Sequence, residues 1–107
     1  PGMPSAPPSR VAEESLAEAR AIVQRELGTL PVRVYLFGSR ADGSARMASD
    51  IDIGVLPVGS IPFDALSRLR SAFEESTIPY EVDVVDLSRV EPAFRDKVLR
   101  EGVAWVG

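Results

Sequence analysis

The chain has 107 residues with 45% hydrophobic content, enough for one domain around a modest core. Its 12 basic and 16 acidic side chains leave a net charge of −4, and a pI near 4.8 argues against general nucleic-acid binding, which favours a basic surface. There is no cysteine and no histidine, which excludes disulfide frames, thiolate sites, His-based triads and the usual zinc sets, and leaves carboxylates as the general bases near neutral pH.

The opening stretch to Ser9 holds four prolines and lacks the charged start and apolar centre of a signal peptide. Residues 1–8 are expected as a disordered lead, and residues 9–107 as one domain. No apolar run approaches the ~20 residues of a membrane span, so the expected location is cytoplasmic. From Ser9 to Leu27, Ala12, Leu16, Ala19, Val23 and Leu27 recur at three- and four-residue steps, which predicts a helix with one apolar face stopped by Gly28. Val32 to Phe37 reads as a strand ending at Gly38. Asp42 to Ser49 reads as a loop with one helical turn.

Asp50 to Leu56 is the second predicted strand, apolar enough after its carboxylates to be central and buried. After a turn-rich Pro57–Pro62 connection, Phe63, Leu66, Leu69 and Phe73 mark a second helix. Pro79 ends it, and Tyr80 to Leu87 gives a third strand. A third helix starts near Pro92, with Phe94, Val98 and Leu99 as its buried face and Gly102 as its stop. Val103 to Val106 adds a short extended segment, with Trp105 as a packing residue. The expected class is α+β in two layers, a small mixed sheet of about three to four strands flanked by helices.

Chemistry concentrates in one short stretch. Asp50 and Asp52 alternate on a strand, so both project from one face, roughly 7 Å apart. Carboxylates that close repel each other and lose solvation, a state that a divalent cation relieves. Mg²⁺ suits a few carboxylate oxygens plus the oxygens of a substrate phosphate. The Gly38-Ser39 turn just upstream is a candidate seat for that phosphate. On the third strand, Asp83 lies between valines, on the face opposite Val82 and Val84. Beside the second strand it would complete a cluster of three carboxylates, able to hold two Mg²⁺ ions and to supply a base. Asp86 faces the other way and reads as a strand-end or capping residue. Glu81 reads as a solvated edge, and Arg40 and Arg46 as surface charges on composition alone.

The Gly38-Ser39-Arg40-Ala41 run, Gly43, the Ser49-Asp50-Ile51-Asp52-Ile53 run and the Val82-Asp83-Val84-Val85-Asp86 segment together resemble the minimal nucleotidyltransferases of the polymerase-beta-like superfamily. The closing Arg100-Glu101-Gly102-Val103 is similar to that family's ending. The resemblance implies the polymerase-beta-like nucleotidyltransferase fold and transfer of a nucleoside monophosphate, AMP from ATP, to a hydroxyl with release of pyrophosphate. It implies that Asp50, Asp52 and Asp83 are catalytic and hold Mg²⁺, with Mn²⁺ as a substitute, and that Asp83 is also the base. Gly38 and Ser39 would bind the triphosphate, with Arg40 and Ser49 in the nucleotide-binding set. It also implies a HEPN-type partner protein in a toxin–antitoxin pair, with this chain as the antitoxin that modifies its toxin; self-association is the other pairing open to so small a domain.

Asp42 departs from the family pattern, which commonly has Arg or Lys there. It favours a rival reading, an idle nucleotidyltransferase-fold module that works by binding a partner. A glycosyltransferase also uses Asp-x-Asp, but needs several βα units before the motif, and only about fifty residues precede it here.

Overall fold

The computed structural model describes residues 8–38 and 50–107, with side chains in the first helix from Glu13 onward. Helix α1 spans Pro8–Leu27. Proline is tolerated in a first turn, where its missing N–H has no partner to lose. The helix buries Ser15, Ala19, Ile22, Val23 and Leu27, one stripe at helical spacing. At its end Gly28 N–H donates to the Gln24 carbonyl at 2.9 Å. The expected residue 1–8 lead lies outside the described residues except for Pro8, which opens α1.

Among the described residues four strands follow: β1 (Val32–Phe37), β2 (Ile51–Pro57), β3 (Val82–Asp86) and β4 (Val103–Val106). They form one sheet in the order β3-β2-β1-β4. β1 runs antiparallel to both β2 and β4, while β2 and β3 are parallel. A parallel pair needs a long crossover, and helix α2 (Ala65–Glu74) supplies it. β2 is interior, as its apolar content predicts. The sheet is mixed, and it is flanked by helices.

One face of the sheet carries the main core. Val32, Val34 and Leu36 of β1, Ile51, Ile53 and Val55 of β2 and Val84 of β3 pack with α1 and with Ala65, Leu69 and Phe73 of α2. Trp105 of β4 joins the same cluster, so the last segment is a true sheet member. The opposite face carries Phe37, Asp52, Gly54 and Asp83 by alternation. Helix α3 (Pro92–Glu101) covers its β1 side, where the Phe94 and Phe37 rings meet edge to face with centroids 5.6 Å apart. Leu87, fully buried, covers Gly54: a Cβ there would lie 2.8 Å from Leu87 Cδ1.

Three local expectations shift. Of the expected buried face of α3, Val98 is buried, but Phe94 is exposed, its ring making the edge-to-face contact with Phe37. Phe63 lies outside α2 and is fully exposed, because the Ala65 N–H closes a turn onto the Pro62 carbonyl and the helix starts only there. β3 begins at Val82, not Tyr80; Pro79 has no N–H to give a ladder, and Tyr80 sits in a bend. Among the described residues no helix is long and apolar enough to cross a membrane.

Candidate active site

Strand register brings two of the three candidate aspartates side by side. Asp52 is the direct cross-strand partner of Asp83 in the parallel β2–β3 pair. On its other side Asp52 faces Phe37 in the antiparallel β1–β2 pair. Neighbouring strands stand roughly 4.8 Å apart, so Asp52 is the middle of a row, with β1 and its terminal Gly38 to one side and Asp83 to the other. Asp50 is exposed and immediately precedes β2, where the Ile51 N–H donates to the Glu81 carbonyl at 2.9 Å and ties the start of β2 to the start of β3.

Gly38 has a φ of +76°, the left-handed region that favours glycine. A side chain at this position would overlap Asp52 Oδ2. The residue therefore ends β1 and lets the carboxylate lie directly against backbone.

The Asp52 carboxyl is held above its ordinary value of 3.8, first because half-burial removes it from water, then because Asp83 and Asp50 repel its charge. These two are the neighbours that the spacing and the register assign to it. Asp83 itself is exposed. Among the described residues no group of three or more acidic side chains stands where it could hold a metal ion. An open row suits Mg²⁺, which keeps several waters and takes substrate phosphate oxygens as its remaining ligands.

Asp86 is used elsewhere. Its Oδ1 accepts from the Ser88 N–H at 2.9 Å and the Ser88 hydroxyl at 2.6 Å, and its Oδ2 lies 3.4 Å from Arg89 Nε. This is a turn-closing aspartate, as its strand-end position predicts. Glu81 is exposed, as expected. Ser39, Arg40, Asp42, Gly43, Arg46 and Ser49 lie outside the described residues, so the structure places only Gly38 of the expected nucleotide-binding set.

Arg70 carries no motif signal, yet its side chain crosses from α2 to the edge of β3 that faces away from β2, where Nη2 donates to the Val84 carbonyl at 2.9 Å. Beside it a recess of about 420 Å³ runs along that edge, lined by Phe73, Glu74, Glu81 and Asp83 among others. Amphipathic spacing marks Phe73, and nothing in the sequence links it to Asp83.

Residues 19–105 match the family described as polymerase beta, nucleotidyltransferase. The chain is 34% identical over 86 residues to a Haemophilus influenzae protein named "Probable protein adenylyltransferase MntA", covering 80% of this chain and 74% of that protein. It is 34% identical over 70 residues to the Shewanella oneidensis "Protein adenylyltransferase MntA", covering 64% of this chain and 49% of that one. Two solved structures share the fold. One, described as a minimal nucleotidyltransferase, is 33% identical with a TM-score of 0.68, over 85% of this chain and 92% of that one. The other, a toxin–antitoxin crystal structure with AMP-PNP, is 27% identical with a TM-score of 0.64, over 89% and 73%.

Proposed function

The chain belongs to the polymerase beta nucleotidyltransferase family and is a nucleotidyltransferase, and we propose that it moves AMP from ATP to a hydroxyl on a partner protein. The observation that carries this reading is the register of Asp52 with Asp83, with the bare backbone of Gly38 on Asp52's other side. The names of the two adenylyltransferase relatives and the AMP-PNP in the toxin–antitoxin structure support ATP as the donor and a protein as the acceptor. A HEPN-type toxin is the partner we infer, with this chain as its antitoxin.

The residues fit divalent cations. The donors are all hard carboxylate oxygens; Asp52 is raised first by burial and then by repulsion from Asp83 and Asp50, and a cation would relieve that repulsion. Asp50, Asp52 and Asp83 would hold two Mg²⁺ ions, with Mn²⁺ as a substitute. Bound there, the metal supplies charge neutralisation on the triphosphate and a lower pKa for the acceptor hydroxyl.

The chain's own residues do the rest. Gly38 and Ser39 bind the triphosphate, Gly38 because it puts no side chain between backbone and phosphate; Arg40 and Ser49 complete this set. Asp83 accepts the proton of the attacking hydroxyl. The sheet holds the Asp52–Asp83 spacing fixed through the hydrogen-bond ladder of β2 and β3, which is how a small fold positions reacting groups.

Incubation with α-phosphate-labelled ATP, Mg²⁺ and the candidate toxin tests this directly. Label on the toxin is the expected result. A protein that binds the toxin and never labels it would establish the idle module that Asp42 favours.

A further inference from the structure

We propose that Phe94, with Phe37 beside it, stacks the base of the nucleotide donor and sets a preference for purine over pyrimidine triphosphates. The inference rests on nucleotide binding at Asp50, Asp52 and Asp83, and adds to it the part of the site that meets the base. Position carries the argument. Phe37 and Asp52 are cross-strand partners on one face of the sheet, so they stand roughly one strand spacing, about 4.8 Å, apart. Helix α3 lies over β1 on that face and sets the Phe94 ring against the Phe37 ring, with centroids 5.6 Å apart and planes at 84°. The phosphates run off the end of β1, where Gly38 follows Phe37 with no side chain. The base lies off that line. Toward β3 the face presents Asp83, whose charge suits an acceptor hydroxyl and not an aromatic heterocycle. Toward β1 it presents two rings, at a distance from Asp52 that a ribose can bridge.

Exposure and shape define the occupant. Phe94 is 40% exposed and Phe37 is half-buried, so two rings at right angles leave an open corner. A planar ligand can lie against the face of one ring and meet the edge of the other, the two arrangements that aromatic pairs prefer. Single exposed apolar side chains are ordinary on a protein surface. Phe63, fully exposed beyond the far end of β2, is one of them. Phe94 differs because its ring partner is the cross-strand neighbour of the central carboxylate. Stacking draws on area and needs no hydrogen bond, so a purine gains more than a pyrimidine. Rings without polar atoms do not separate adenine from guanine.

The test titrates ATP, CTP and inorganic tripolyphosphate, each with Mg²⁺, into the whole chain by calorimetry. Wild type is compared with Phe94→Ala, Phe94→Leu and Phe94→Trp, with circular dichroism confirming that each is folded. Wild type should bind ATP more tightly than CTP. Phe94→Ala should lose about tenfold in ATP affinity, the scale of one base stacked on one aromatic ring, less for CTP, and nothing for tripolyphosphate. Phe94→Leu keeps apolar volume without a π face and should fall with Phe94→Ala, whereas Phe94→Trp should keep wild-type affinity. Trp105 is the chain's only tryptophan and is buried, so the added indole of Phe94→Trp should be quenched by ATP and not by tripolyphosphate, while the wild-type signal stays constant. Unchanged ATP affinity in Phe94→Ala, full affinity in Phe94→Leu, an equal loss for tripolyphosphate, or no ATP binding by wild type would overturn the proposal. Labelled ATP separates this inference from the one beneath it. Transfer to the partner by a protein whose ATP affinity ignores Phe94 keeps the transferase and removes the stack. Phe94-dependent ATP binding without transfer keeps the stack and counts against the transferase.

Discussion

The backbone of Gly38 lies where any side chain would overlap Asp52 Oδ2, so the end of β1 and the middle carboxylate of the site share one small space. The register that pairs Phe37 with Asp52 fixes this proximity, and Gly38 adopts it with a φ of +76°. Gly38→Ala should suffer twice. The left-handed backbone costs an L-residue roughly 1–2 kcal/mol, and the new methyl must displace the carboxylate. Thermal unfolding should show a melting temperature lower by several degrees, and calorimetry a weaker ATP·Mg²⁺ affinity. A fully stable Gly38→Ala variant with native affinity would show that the close approach has no functional weight.

The electrostatics of Asp52 set a pH dependence in the absence of metal. Its folded-state pKa is raised above 3.8, so the native state holds this proton more tightly than the unfolded chain. Stability contributed by the protonated form is therefore lost as pH rises from about 3.8 through the raised value. Asp52→Asn removes the penalty. In EDTA at pH 7 the variant should melt above wild type, and the gap should close as pH falls toward 4. Added Mg²⁺ should raise the wild-type melting temperature and leave that of Asp52→Asn nearly unmoved. A gap that widens on acidification would contradict the assigned cause.

Asp83 and Asp86 lie three residues apart and should behave oppositely. Asp83→Asn keeps the shape of the site and removes the base we propose, so ATP binding should persist while transfer falls by about a hundredfold or more. Asp86→Asn should leave transfer near wild type. It weakens the Ser88 and Arg89 contacts and should cost about 1 kcal/mol, read as a small drop in melting temperature. Comparable loss of transfer in both variants would remove the distinction between catalytic and turn-closing roles.

Much of this organisation is legible in the residues because it follows local periodicity. Val32–Phe37 needs only its β-branched and aromatic content, and the Asp50–Asp52 alternation needs only the period of a strand. Asp83 can be placed on the correct face because Val84 has to point into the core. Non-local contacts are harder. Phe63 fits the helical spacing of Leu66 and Phe73 but falls in the turn that precedes the helix, where Pro62 closes a hydrogen bond instead. Leu87 is buried because Gly54, on another strand, leaves room above the sheet. Arg70 reaches Val84 across 14 residues of chain, and only the assembled sheet edge shows why a charged residue lies there.

We propose that Asp50 and Asp52 anchor the metal and the nucleotide in this domain. The direct measurement is calorimetric titration of ATP with Mg²⁺ into the wild type and into Asp50→Ala combined with Asp52→Ala, with circular dichroism confirming that both are folded. The expected result is binding by the wild type that is lost on chelation of Mg²⁺, and no measurable binding by the double variant. Equal ATP affinity in a folded double variant would contradict it.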